Sequence, residues 1–265
     1  MDQTLLDQIS AETKVANVSF GSDEYFAARF AGGSRRHAAW VIFAVKHLIE
    51  NIPLNVNDPG VARLKLAWWR NQTNELTHPL LKIAKTLPID MQALIAAVES
   101  LAGALDSEYL RELTDSHQTR DRWFTDAYNQ FYYLLIEDSL RSVADDLCGA
   151  VEGARSLLRI KHEVDLQIMR IPLDSLAINN INASAVLTGT KPELLDAVLQ
   201  RELALATRKL RESINNFPRR PCPAVTYALL TQKNLEETIK DGGALFSRKI
   251  ELTPLRKLWI SWRSK

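Results

Sequence analysis

Carboxylates, arginines and aromatic rings are the residues of this sequence whose types and spacing could carry chemistry. Arg35-Arg36 stands at the head of an apolar stretch, and a basic pair beside an apolar cavity could hold an anionic headgroup; capping or ion-pairing a helix end is the plainer alternative. Glu163 and Asp165 lie two residues apart. On a helix they would project from different parts of the surface, so chelation of one metal by both is not expected. Asp145-Asp146 are followed by Gly149 and not by an acid four residues on, and Glu137-Asp138 with Arg141 reads as a surface ion-pair cluster. His37, His47, His78, His117 and His162 lack metal-ligand spacing. No phosphate-cradling glycine loop, GxSxG elbow or Cys/His nucleophile pattern occurs.

The elements that must position these residues read as helices. Glycine and proline number ten each and fall between segments of helical periodicity, which predicts an all-α chain. Asp23 is a fitting N-cap for a helix to Phe30, whose Phe26, Ala27 and Phe30 share one face, and Gly32-Gly33 ends it. A long helix, apolar nearly all round and therefore central, is predicted from Arg35 to Ile52, stopping before Pro53. Further helices are predicted at Val61–Glu75, Met91–Leu105, Asp121–Leu135, Ile136–His162, Pro192–Asn215, Pro223–Thr231 and Leu235–Lys240. Asn179–Thr190 reads as a turn region too short for a domain linker, so one domain covering 1–265 is expected.

Four ordered stretches resemble the squalene/phytoene synthase family. They are the aromatic helix Asp23–Phe30, the pair Arg35-Arg36, the segment Arg63–Arg70 with its Trp68-Trp69-Arg70, and the turn Ile171-Pro172-Leu173-Asp174-Ser175-Leu176. The end of the chain, Leu255–Arg263 with Ser261-Trp262-Arg263, is similar to the family branch that includes mitochondrial complex I assembly factors. The resemblance implies an isoprenoid synthase-like helical bundle with a central cavity. It also implies the joining of two prenyl diphosphates, each held through Mg²⁺ by a helix-borne acidic motif whose metal offsets leaving-group charge.

On that alignment the first acidic motif falls on Glu50-Asn51-Ile52-Pro53-Leu54, where Glu50 is the one carboxylate, Asn51 offers a neutral oxygen, and Pro53 interrupts the helix. The second falls near Arg159–Arg170 and retains Glu163 and Asp165 in a shortened segment. Arg35 and Arg36 match diphosphate-binding positions. Tyr25, Phe26, Trp68 and Trp69 could line a prenyl-chain tunnel or belong to an ordinary core. The expectation is a degenerate synthase, a pseudoenzyme needing no metal or cofactor, that acts in respiratory complex assembly or in isoprenoid binding. The alternative is a divergent prenyl transferase in which Glu50, Glu163 and Asp165 hold Mg²⁺.

Bulk properties set the outer limits. The chain has 265 residues, 46% hydrophobic, enough to bury a substantial core. Its net charge of +1 gives no field that would recruit nucleic acid. Cys148 and Cys222 lack paired spacing and are expected as reduced thiols. No apolar stretch reaches the roughly 18 residues a membrane span needs. The acidic Met1–Lys14 argues against a leader and points to a bacterial cytoplasm, with a mature mitochondrial matrix protein as the other setting. The tail Leu252–Lys265 interleaves Leu255, Leu258, Trp259 and Trp262 with Arg256, Lys257, Arg263 and Lys265, a pattern suited to a membrane surface, to a partner helix, or to docking on its own domain.

Overall fold

The computed structural model of the protein describes residues 2–56, 58–106, 115–166, 168–188, 192–217, 222–241 and 250–264. Every regular element among them is helical, as the scarcity of turn residues predicts. The order is α1 (Gln3–Val15), α2 (Asp23–Ala28), α3 (Gly33–Glu50), α4 (Ile52–Asn55), α5 (Pro59–Glu75), α6 (Pro79–Ala84), α7 (Met91–Asp106), α8 (His117–Leu135), α9 (Arg141–Leu158), α10 (Ile160–Asp165), α11 (Leu173–Ile178), α12 (Ala183–Leu187), α13 (Pro192–Asn215), α14 (Pro223–Lys240) and α15 (Pro254–Arg263). The Lys265 of the tail lies outside the described residues.

Local chemistry explains the starts. The Ser22 hydroxyl accepts from the Tyr25 amide, so the cap of α2 is Ser22 and not Asp23. Asp58 accepts from the Gly60 and Val61 amides ahead of α5, whose first residue Pro59 has no N–H to lose. Pro53 is placed similarly: α3 ends at Glu50, and Pro53 sits in the first turn of α4.

Two predicted boundaries need correction. Ile136–His162 is not one helix: Ile136 is extended, Asp138–Leu140 forms a 3₁₀ turn, and the chain turns again at Arg159 between α9 and α10. Conversely, Pro223–Thr231 and Leu235–Lys240 are one helix. Gln232 and Lys233 pair one turn on with Glu236, while Asn234 is satisfied from a distance: its amide donates to Asp23 at 2.9 Å and its oxygen accepts from the Leu252 amide. The turn region 179–190 also contains α12.

One buried apolar cluster runs from Ile9 to Leu252, with α3 threaded through it and α8 packed against α7 and α9. Trp69, Phe26, Phe43, Phe124, Phe131, Tyr128, Tyr132 and Tyr227 are among its buried rings. Cys148 and Cys222 are free and buried. The α8–α9 seam is tight at Gly149, where a Cβ would stand 2.8 Å from Thr125 Oγ1 and 3.4 Å from the Asp121 carbonyl. Gly149→Leu is therefore expected to force the two helices apart and cost roughly 1–3 kcal/mol, read as a lower urea midpoint.

Candidate functional site

Charged side chains meet in the middle of the apolar bundle. Lys46, on the core side of α3, is 2% exposed and places its ammonium 2.7 Å from Glu50 Oε2, one helical turn on, and 3.1 Å from Glu152 Oε1 of α9. Arg155, one turn beyond Glu152, donates to Glu50 Oε1 at 3.2 Å, to Glu24 Oε1 at 3.3 Å and to Glu152 Oε2 at 3.2 Å. The break between α9 and α10 sets Arg159 between Glu50 Oε1 at 3.5 Å and Glu163 Oε1 at 3.6 Å, and Arg170 approaches Glu163 Oε2 at 3.7 Å. Hydroxyls complete the shell: Tyr227 donates to Glu24, Tyr132 to Glu152 and Ser156 to Glu163.

Glu24, Glu50, Glu152 and Glu163 thus face Lys46, Arg155, Arg159 and Arg170, and the charges balance one for one. Burial alone would push the Glu50 carboxyl up, but Arg155 and Lys46 outweigh it and hold Glu50 well below the usual range. Glu24 is likewise lowered: Arg155 and His47 overcome its burial. Burial would lower Arg155, and the carboxylates led by Glu50 raise it well above its usual value. All three are ionised near neutrality.

These residues do not fit a divalent cation. Both Glu50 oxygens are taken by ammonium or guanidinium groups, and Asn51 turns its amide back onto the His47 carbonyl at 2.7 Å. Glu163 is buried beside Arg159, whereas Asp165 is exposed, the divergence expected from their spacing. Mg²⁺ would add two charges to a balanced interior and would have to displace a cation first. No cluster of three or more His, Cys, Asp or Glu able to hold a metal exists among the described residues.

A cavity of about 780 Å³ opens beside the network, at the ends of α3 and α9. Asp23, Glu24, Asn51, Arg155, Arg159 and Asp165 contribute to its wall, where the aliphatic side chains are Leu54, Leu158 and Ile250. Burial and the neighbouring Glu24 push Asp23 up, against the pull of Lys257 at 2.8 Å.

A second polar cluster joins α8, α11 and α13. Ser175 Oγ donates to Glu202 at 2.7 Å and lies 3.4 Å from His117 Nε2, while Asp174 is 3.7 Å from Nδ1. The residue types invite a nucleophile reading, which the geometry denies. Nε2 stands 2.8 Å from the Glu202 carboxylate and so carries a proton, and Ser175 is buried with its own proton committed. The cluster instead locks three helices together.

No family model matches the sequence, and no curated protein matches it. Solved structures do. The chain is similar to a dehydrosqualene synthase with a TM-score of 0.76 at 10% identity, covering 99% of this chain and 96% of that one. It is similar to the squalene synthase HpnC from Alicyclobacillus acidocaldarius with a TM-score of 0.64 at 12% identity, covering 92% and 97%. A third match, YisP from Bacillus subtilis subsp. subtilis strain 168, has a TM-score of 0.64 at 14% identity and covers 98% of both chains. The fold is the isoprenoid synthase fold.

Within this synthase fold the residues singled out by resemblance are dispersed. Arg35 and Arg36 begin α3 while Glu50 ends it, roughly 21 Å away along the helix axis, so they cannot share one diphosphate with Glu50. Arg35 is exposed, and Arg36 donates to the Ala31 carbonyl at 3.4 Å, the helix-end alternative. Tyr25 stacks on Trp40, Phe26 is buried, and Trp69 is buried against His78, with Trp68 half exposed at its edge. None of these four rings is among the described residues lining the cavity. The surface pairs are equally local: Asp145 accepts from the Tyr133 hydroxyl, and Arg141 lies over the same ring. The residues missed were Lys46, Glu24, Glu152, Arg155 and Arg170. One signal was available, because a lysine inside an apolar helix with a glutamate four residues on implies a buried pair.

Two outcomes follow from the geometry. Arg155→Met leaves Glu24, Glu50 and Glu152 short of a cation and is expected to cost about 3–5 kcal/mol in urea unfolding. Glu202 is held at about 2, because the bonds from His117 and Ser175 and the nearby Arg120 outweigh its burial. A depressed folded value contributes stability above the unfolded carboxylate range and loses it as pH falls. Unfolding free energy should therefore drop by about 3 kcal/mol between about pH 4.5 and 2 on this account, and Glu202→Gln should flatten that limb.

Proposed function

We propose that the protein is a non-catalytic, single-domain chain of synthase shape that uses the bundle as a scaffold, binding lipid or serving the assembly of a respiratory complex. The observation that carries the proposal is the occupancy of Glu50. Prenyl coupling by the metal route requires carboxylates free to hold Mg²⁺ against a leaving diphosphate. Here the carboxylate at the matching position is neutralised from within by Lys46 and Arg155. Most side chains around the adjoining cavity are polar or charged, and Arg155, Arg159, Lys161 and Lys257 among them could meet an anionic headgroup. The assembly role rests on the C-terminal resemblance at Ser261-Trp262-Arg263.

One observation favours the enzymatic alternative, a divergent prenyl transferase: Glu24, Asn51 and Asp165 border the same cavity. The two readings separate in one assay. Purified protein is incubated with Mg²⁺ and farnesyl or geranylgeranyl diphosphate, and pyrophosphate release is followed. No release above the protein-free rate is expected. Turnover that Glu50→Gln abolishes would establish the transferase instead.

A further inference from the structure

Helices on a protein surface turn their apolar stripe to the core, and α15 does the reverse. Leu255, Leu258, Trp259 and Trp262 follow the i, i+3, i+4, i+7 spacing of one helix face, yet they are 79%, 37%, 55% and 50% exposed. The inward positions belong to Lys257 and Ser261, both buried, with the half-buried Ile260 packed against the core beside them. Lys257 Nζ donates to the Gly21 carbonyl at 2.7 Å and lies 2.8 Å from Asp23. Ser261 bonds back to the Lys257 carbonyl, and Ser264 shares a 2.9 Å hydrogen bond with Thr226 of α14. The polar bonds of Lys257 and Ser264, together with Ile260 against the core, therefore hold the helix down and leave the Leu255–Trp262 stripe outward.

The flanks of that stripe are basic. Arg256 and Arg263 border it, no acid occurs between Pro254 and Arg263, and Arg263 lies over the Trp259 ring. Glu237 is shared between Arg256 and Lys240, so this pairing leaves one positive charge over. Phe20, 72% exposed, precedes the glycine to which Lys257 is pinned and adds another outward ring.

We infer that α15 lies flat on an anionic membrane surface, seating Leu255, Leu258, Trp259 and Trp262 at the boundary between headgroups and acyl chains. Indole suits that boundary because its body is apolar and its N–H is polar, while the arginines at the rim meet lipid phosphates. Docking is the mode, since no helix among the described residues is long and apolar enough to cross a membrane. A second copy fits less well. A helix of ten residues, about 15 Å long, offers far less than the roughly 800 Å² per partner of a stable interface, and pairing it with itself would bring like-charged arginines together. The inference does not depend on whether the cavity is catalytic. Because Lys257 and Ile250 also line that cavity, a docked α15 holds its rim at the membrane.

Co-sedimentation of the full chain with phosphatidylcholine vesicles, with and without phosphatidylglycerol, tests this. Binding is expected to the phosphatidylglycerol vesicles and to be weaker on phosphatidylcholine alone. Trp259→Ser combined with Trp262→Ser should weaken it at least tenfold, about 1.4 kcal/mol, while the thermal melt stays cooperative because both rings are half exposed and neither belongs to the buried core. Leu64→Ser, at an exposed position of α5, should change nothing. The inference is overturned if the unsubstituted chain ignores phosphatidylglycerol vesicles, if the double variant binds as well, or if Leu64→Ser weakens binding as much. It is also overturned if the double substitution abolishes a dimer seen by sedimentation while vesicle binding is absent.

Discussion

The guanidinium of Arg155 is the interaction on which the rest of the structure depends. It reaches Glu24 at the start of α2, Glu50 at the end of α3 and Glu152 on its own helix, and it lies over the Tyr227 ring of α14. Each of these carboxylates is buried, and a buried charge is tolerated only when paired and hydrogen-bonded. The four helices therefore have one mutual arrangement in which every charge is answered. Moving any of these carboxylates away from Arg155 would leave it buried and short of a cation, which is costly.

That constraint passes outward through two neighbouring residues. Glu24 faces the network, while Asp23 faces Asn234 of α14 and Lys257 of α15. The first turn of α2 thus links the balanced interior to the polar cavity and to the outward-facing stripe of α15. Site, cavity rim and surface helix are joined through Asp23 and Glu24. The fold is the isoprenoid synthase fold, and within it Glu24, Glu50, Glu152 and Glu163 are engaged in internal charge balance.

Periodicity made the long helices legible: Met91–Asp106 and Pro192–Asn215 lie within a residue of their predicted bounds, because their apolar faces repeat without interruption. Pairings across long sequence separations were hidden. Glu50 and Arg155 are 105 positions apart, and nothing local to either announces the other. The same reason applies to Asn234, whose partners Asp23 and Leu252 lie far away in sequence. For α15 the amphipathic pattern was plain but its orientation was not, since the long stem of Lys257 lets a charged residue serve as the buried anchor. The aromatic landmarks identified a shape correctly, but an ordered set of landmarks does not fix which side chains face a cavity, as the Trp68-Trp69 pair illustrates.

Side-chain carboxyl ¹³C shifts of Glu24 and Glu50, followed during a titration with Mg²⁺ and inorganic pyrophosphate, measure directly what these buried carboxylates hold. Carboxylates already paired to Lys46 and Arg155 should read as ionised at neutral pH and stay unmoved through millimolar additions of both. A saturable displacement of the Glu50 signal that requires Mg²⁺ would show that the cations give way to a metal, and would contradict the account.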